Sequence, residues 1–149
     1  MKLIKWLSVS DRYAKAYLDE KLAPLGLTSS QHMYVLKICR TPGLTQEALL
    51  DRLYIHPSNV TRTITLLERS GFLTRQPCDH DRRTYRLYPT EKAQKAVPAI
   101  EKACRDTEDA LLKALPEEDR AALAPMLQLT GRHMAVLCGM QKQEDEFDV

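Results

Sequence analysis

The stretch from Leu44 to Thr90 constrains the fold more than any other part of the chain. It opens with Leu-Thr-Gln-Glu-Ala-Leu-Leu-Asp-Arg-Leu, in which the hydroxyl of Thr45 can cap a helix and Leu49, Leu50 and Leu53 form one apolar stripe. After Tyr-Ile-His comes Pro57, suited to the first position of a second helix, where its missing N–H costs nothing. Val60, Ile64 and Leu67 then recur at helical spacing, and Gly71 ends the helix as a left-handed residue would. The opposite face carries Ser58, Asn59, Thr61, Arg62 and Thr65: short hydrogen-bonding groups and one long cation, without a carboxylate. A helix that needed only solubility would more often show Glu and Lys there. A helix meant for the major groove of DNA wants small polar groups near its N-terminus and an Arg for a guanine or a phosphate.

Phe72 to Gln76 and Thr84 to Tyr88 predict two short strands joined by Pro77-Cys78-Asp79-His80-Asp81-Arg82-Arg83. A hairpin tip ending in adjacent arginines is how a minor-groove wing is built, because the potential is most negative where that groove is narrow. Arg82 and Arg83 are the candidates for insertion, with Asp81 able to orient one guanidinium. Arg75 and Arg86, on the strands, are candidates for phosphates. Between Thr45 and Thr90 all seven basic residues are Arg, set against five acids. The whole chain carries only +2, too little to announce nucleic acid by itself.

This order of features is similar to the MarR family of winged helix-turn-helix regulators. The residues that carry the resemblance are Leu27-Thr28-Ser29-Ser30-Gln31, Leu44-Thr45-Gln46-Glu47, Pro57-Ser58-Asn59-Val60-Thr61-Arg62, Leu67-Glu68-Arg69-Ser70-Gly71-Phe72-Leu73, Asp79-His80-Asp81-Arg82-Arg83 and Pro89-Thr90-Glu91-Lys92. Pro89 and Ala93 stand where the family usually has Leu and Gly. The resemblance implies a mainly helical fold with a small β-wing, and a homodimeric, DNA-binding transcriptional regulator.

The flanks fit that architecture. Leu3 to about Ala23 predicts a first helix with a broad face of Leu3, Trp6, Leu7, Tyr13, Ala14, Tyr17, Leu18 and Leu22. Thr28 to Gln31 is a capping-box pattern that places a second helix start there, with Met33, Val35, Leu36 and Ile38 as core candidates. Thr90 caps a long helix toward Leu115, expected to bend at Pro98. Pro116-Glu117-Glu118-Asp119 opens a last helix whose stripe is Leu123, Met126, Leu127, Thr130, Met134 and Leu137, with a second bend at Pro125. Residues 28–90 therefore form the DNA-binding lobe, 1–27 and 91–140 a helical dimerisation lobe, and 141–149 an acidic, flexible tail. A small winged lobe cannot cover all these stripes. A twofold dimer would, and it would set two recognition helices about one DNA turn, roughly 34–36 Å, apart.

Other chemistries find less support. The chain has no Gly-rich phosphate loop, GxSxG or HExxH, so neither an enzyme nor a cofactor is expected. Asp79-His80-Asp81 is the one local set of metal-ligand types, and it lies on a solvated tip without a partner His or Cys at ligand spacing other than Cys78. The cysteines Cys39, Cys78, Cys104 and Cys138 make no CxxC pair, which fits reduced thiols and a cytoplasmic location. Cys78 is the candidate for oxidation; the other three are expected to pack. No stretch approaches the ~18 apolar residues of a membrane span. Arg12, Tyr13, Tyr17 and His32 would converge if the first helix packs beside the second, and could hold a small anionic aromatic effector. The reading is a repressor that binds a short inverted repeat and is released by such a compound. The different-class alternative is a winged-helix module that binds another protein, and it lacks the steep salt dependence of a DNA binder.

Overall fold

The computed structural model describes residues 2–140 apart from Tyr54, His56, Asp81 and Arg82, with the backbone alone at Asp51 and Arg52. The acidic tail, 141–149, lies outside the described residues. The elements run α1 (Leu3–Leu22), α2 (His32–Arg40), β1 (Leu44–Thr45), α3 (Gln46–Leu53), α4 (Pro57–Arg69), β2 (Leu73–Pro77), β3 (Tyr85–Pro89), α5 (Glu91–Leu112) and α6 (Glu117–Leu137), with one 3-10 turn at Ala23–Leu25. The strands form one antiparallel sheet in the order β1-β3-β2.

One aliphatic core joins α1 to α5 and the wing strands. Leu22, Ile38, Leu49, Val60, Ile64, Leu67, Leu73, Leu87 and Ile100 are fully buried and come from α1 to α5 and the two wing strands. Each such side chain contributes about 1.5–3 kcal/mol by leaving water. Tyr34 and Phe72 are the aromatic members, as an aromatic share of 6% requires. The predicted stripes of α4 and of the central leucines are therefore the core itself.

Caps decide the boundaries. Thr45 Oγ1 accepts the Ala48 N–H at 3.2 Å and starts α3. Thr90 Oγ1 accepts the Ala93 N–H at 3.2 Å and starts α5; the same hydroxyl donates to the Gly71 carbonyl at 2.6 Å. Gly71 closes α4 at φ 80°, where a side chain would be strained. Both prolines inside the long helices, Pro98 and Pro125, are exposed and interrupt neither helix.

Several expectations need correction. α2 begins at His32, not at Thr28, because residues 28–31 make a separate turn in which Gln31 Oε1 accepts the Thr28 N–H at 3.1 Å and Thr28 Oγ1 turns to Ser30 Oγ at 2.9 Å. The capping box is thus half formed. The buried face of α2 is Tyr34, Val35, Lys37 and Ile38, while Met33 is largely exposed. Both wing strands sit one residue later than predicted, with Leu73 opposite Pro89 and Pro77 opposite Tyr85. β1 is an unpredicted third strand, pairing Leu44 with Leu87 and Thr45 with Arg86. α5 ends at Leu112, three residues short of Leu115.

The terminal helices differ from the lobe. α1 buries only Leu18 and Leu22, and α6 buries none of its residues. Trp6, Tyr13, Met126, Leu129 and Leu137 are all 60% exposed or more. Among the described residues no helix is long and apolar enough to cross a membrane.

Candidate nucleic-acid interface

α4 presents one face because the other is pinned. With Val60, Ile64 and Leu67 inside, the 3.6-residue period turns Ser58, Thr61, Arg62 and Thr65 outward as a single stripe, with Asn59 beside it. Ser58, Asn59, Thr61 and Arg62 are exposed and Thr65 is half-buried. Two of these hydroxyls have defined roles. Thr65 Oγ1 donates to the Thr61 carbonyl at 2.9 Å, which leaves it an acceptor toward anything outside. Thr61 Oγ1 accepts from Gln46 Nε2 at 2.8 Å, which leaves its own proton to donate. Gln46, the first residue of α3, is a member of this face that local pattern could not reveal, because its partner lies fifteen residues on.

The wing stands next to that face. The β2–β3 ladder is extended by the Cys78 N–H, which donates to the Thr84 carbonyl at 2.9 Å. At its tip Asp79, His80 and Arg83 are exposed; Asp81 and Arg82 are outside the described residues. Arg86 is exposed and its Nη1 donates to the Gly43 carbonyl at 3.0 Å, tying β3 to the turn before β1. Arg75 is placed differently from the other arginines. Its Nε and Nη2 donate to the two carboxylate oxygens of Glu68 at 3.1 and 2.9 Å, and its guanidinium carbon lies 5.5 Å from the centre of the Tyr85 ring. Hydrogen bonds from Arg75 hold the Glu68 carboxyl below the usual carboxylate range. The guanidinium expected to hold a phosphate is thus hydrogen-bonded to Glu68 while staying partly exposed.

The residues of the expected effector set sit on α1 and at the start of α2. Tyr13 and Tyr17 lie one turn apart on α1, both exposed, and Lys21 Nζ sits 5.0 Å over the Tyr17 ring. Arg12 and Asp19 are two turns apart on another side of α1. Asp19 accepts the Ser29 N–H at 2.6 Å, and the Ser29 carbonyl accepts from His32 Nδ1 at 2.8 Å. Burial lowers the His32 pKa against the opposing pull of Ser29 and Asp19. His32 thus belongs to the α1–α2 junction, and the tyrosines to the outer surface.

All four cysteines are free thiols. Burial pushes the Cys39 and Cys104 thiols up from the ordinary thiol range. Cys78 is half-buried; Cys138 is exposed just after α6 instead of packing as expected, and α6 buries none of its residues among those described. Among the described residues no group of three or more His, Cys, Asp or Glu could hold a metal ion.

A tight helix pair, a polar outward face on its second helix and an adjoining hairpin define a winged helix-turn-helix. Residues 25–84 match the MarR family model, and the chain resembles transcriptional regulators of that family. It is 27% identical over 103 residues to the uncharacterized HTH-type transcriptional regulator YybA of Bacillus subtilis (strain 168), covering 69% of each chain. A MarR transcriptional regulator from Methanosarcina mazei Go1 superposes with a TM-score of 0.80 at 28% identity, over 91% of this chain and 97% of that one. The fold is shared with a MarR family protein from Listeria monocytogenes complexed with 26mer DNA, at a TM-score of 0.79 and 24% identity, over 97% and 99% of the two chains.

Proposed function

We propose that the protein acts as a homodimer that binds a short inverted repeat in double-stranded DNA and represses by occupying it. The observation that carries this reading is the pair of unlike surfaces on one chain. α4 offers a polar stripe without a carboxylate, and α1 and α6 offer apolar side chains left in water. A groove suits the first and a second copy suits the second. Ser58, Asn59, Thr61, Arg62 and Thr65 face the major groove, Arg83 with Arg82 enters the minor groove, and Arg86 lies near the backbone. The Listeria relative in complex with DNA supports the docking by analogy of fold. Occupancy alone is enough for repression.

Release by a small anionic aromatic compound completes the proposal. Arg12, Tyr13, Tyr17 and His32 remain its candidate site, with the exposed tyrosines supplying ring faces and Arg12 the charge, against a surface of the second chain. A ligand that prefers one half-site spacing shifts the dimer toward it by no more than its differential affinity.

Sequencing of DNA fragments retained by the purified protein tests the reading. The retained fragments should share an inverted repeat with half-sites about one helical turn apart, and affinity should fall steeply with salt. Retention indifferent to sequence and salt would support the protein-interaction alternative. An arylcarboxylate should weaken the complex, and Tyr13→Ala should blunt that effect.

A further inference from the structure

Glu68 and Arg75 sit at the joint between the two elements proposed to touch DNA. Glu68 is in the last turn of α4, and Arg75 is the middle residue of β2. Only residues 70–72 lie between helix and strand, and Gly71 there supplies the change of direction at φ 80°. A single backbone turn is a soft joint. Two parallel hydrogen bonds stiffen it, 3.1 Å from Nε and 2.9 Å from Nη2, in the planar fork that a lysine cannot make. Tyr85 adds the third element. Arg75 pairs with Leu87 in the sheet, so Tyr85 is its diagonal neighbour on the same face of the wing, and its ring lies 5.5 Å from the guanidinium.

The side chains of the pair keep 25% and 35% of their surface in water. Partial exposure makes this a poor device for stability. The pair links the last turn of α4 to the middle of β2.

We infer that Glu68 and Arg75 are positioning residues for DNA binding: with Tyr85 they lock the wing to α4 at the angle that brings Arg83 to the minor groove while Arg62 occupies the major groove. The inference rests on the docking proposed above. It also gives Arg75 a role opposite to the one its charge suggests, since its guanidinium acts through Glu68 and not on a phosphate.

The test is a double-mutant cycle on one duplex selected by the wild-type protein, read as dissociation constants at fixed salt. Arg83→Ala should weaken wild type about tenfold, but the Glu68→Gln protein by less than about twofold, because an unlocked wing no longer delivers Arg83. Arg75→Lys, which keeps the charge and loses the fork, should behave like Glu68→Gln. The exchanged pair Glu68→Arg with Arg75→Glu should restore the cost of Arg83→Ala. Far-UV circular dichroism confirms that each variant is folded. An equal cost of Arg83→Ala in both backgrounds overturns the clamp. So does an Arg75→Gln variant that lowers the salt slope by about one while Glu68→Gln leaves it unchanged, since that marks a phosphate contact. A wild-type protein that retains no duplex overturns the docking and the clamp together, whereas retention with additive costs overturns the clamp alone.

Discussion

Arg62 is exposed one turn beyond Asn59 on α4, and its side chain is the longest on the polar stripe. On the proposed docking it reads a base. Arg62→Ala should cost about 1–3 kcal/mol on the selected duplex and should relax preference at one base pair per half-site. Competition with single-base variants of the duplex measures both. A uniform loss across all variants would instead mark Arg62 as a phosphate contact. Thr61 has a similar place but a different constraint. Its hydroxyl takes a hydrogen bond from Gln46, so on the proposed docking its own proton is the group offered to DNA, toward an acceptor such as a purine N7.

At the scale of elements, the junction of α4, the wing and α5 runs through Thr90. One hydroxyl caps α5 and also bonds the Gly71 carbonyl, so the end of α4 and the start of α5 share a side chain. Lys92 reinforces the same place: its Nζ donates to the Ser70 carbonyl at 2.7 Å and lies 4.5 Å from the Phe72 ring. Thr90→Val keeps the shape and removes both hydroxyl bonds. It should lower stability by about 1–2 kcal/mol, while Thr90→Ser should be near neutral. Urea unfolding with an unchanged m-value measures this. A Thr90→Val protein as stable as wild type would show that water replaces both bonds without cost.

At the scale of the whole molecule, α1 and α6 have too little company in one chain. Apolar side chains scattered singly on a surface are ordinary, but Met126, Leu127, Leu129, Met134, Val136 and Leu137 of one helix are all exposed. Light scattering at micromolar concentration should give about twice the chain mass of 17.0 kDa. Met126→Glu with Leu129→Glu should shift the protein toward monomer and reduce affinity for the inverted repeat far more than for a single half-site. A clean wild-type monomer at that concentration would sink both the dimer and the half-site spacing.

Local pattern was enough to find the winged lobe, because periodicity, caps and turn chemistry act within a few residues. Val60, Ile64 and Leu67 at helical spacing, Pro57 at the start of α4, Gly71 after it and the hydroxyls of Thr45 and Thr90 are all determined by the sequence alone. The α4 face follows from the same period. Tertiary structure decided what depends on distant partners. β1 is two residues long and carries no period, so only pairing with β3 makes it a strand. Lys37 looks like a surface residue and is buried because α2 packs against α5 and β3. Tyr34 took the inner position expected for Met33. Gln46 reached Thr61, and Arg75 turned from solvent to Glu68, for one physical reason. A side chain's charge and length are written in the sequence, but the atom it meets is set by how the helices and strands come to lie side by side.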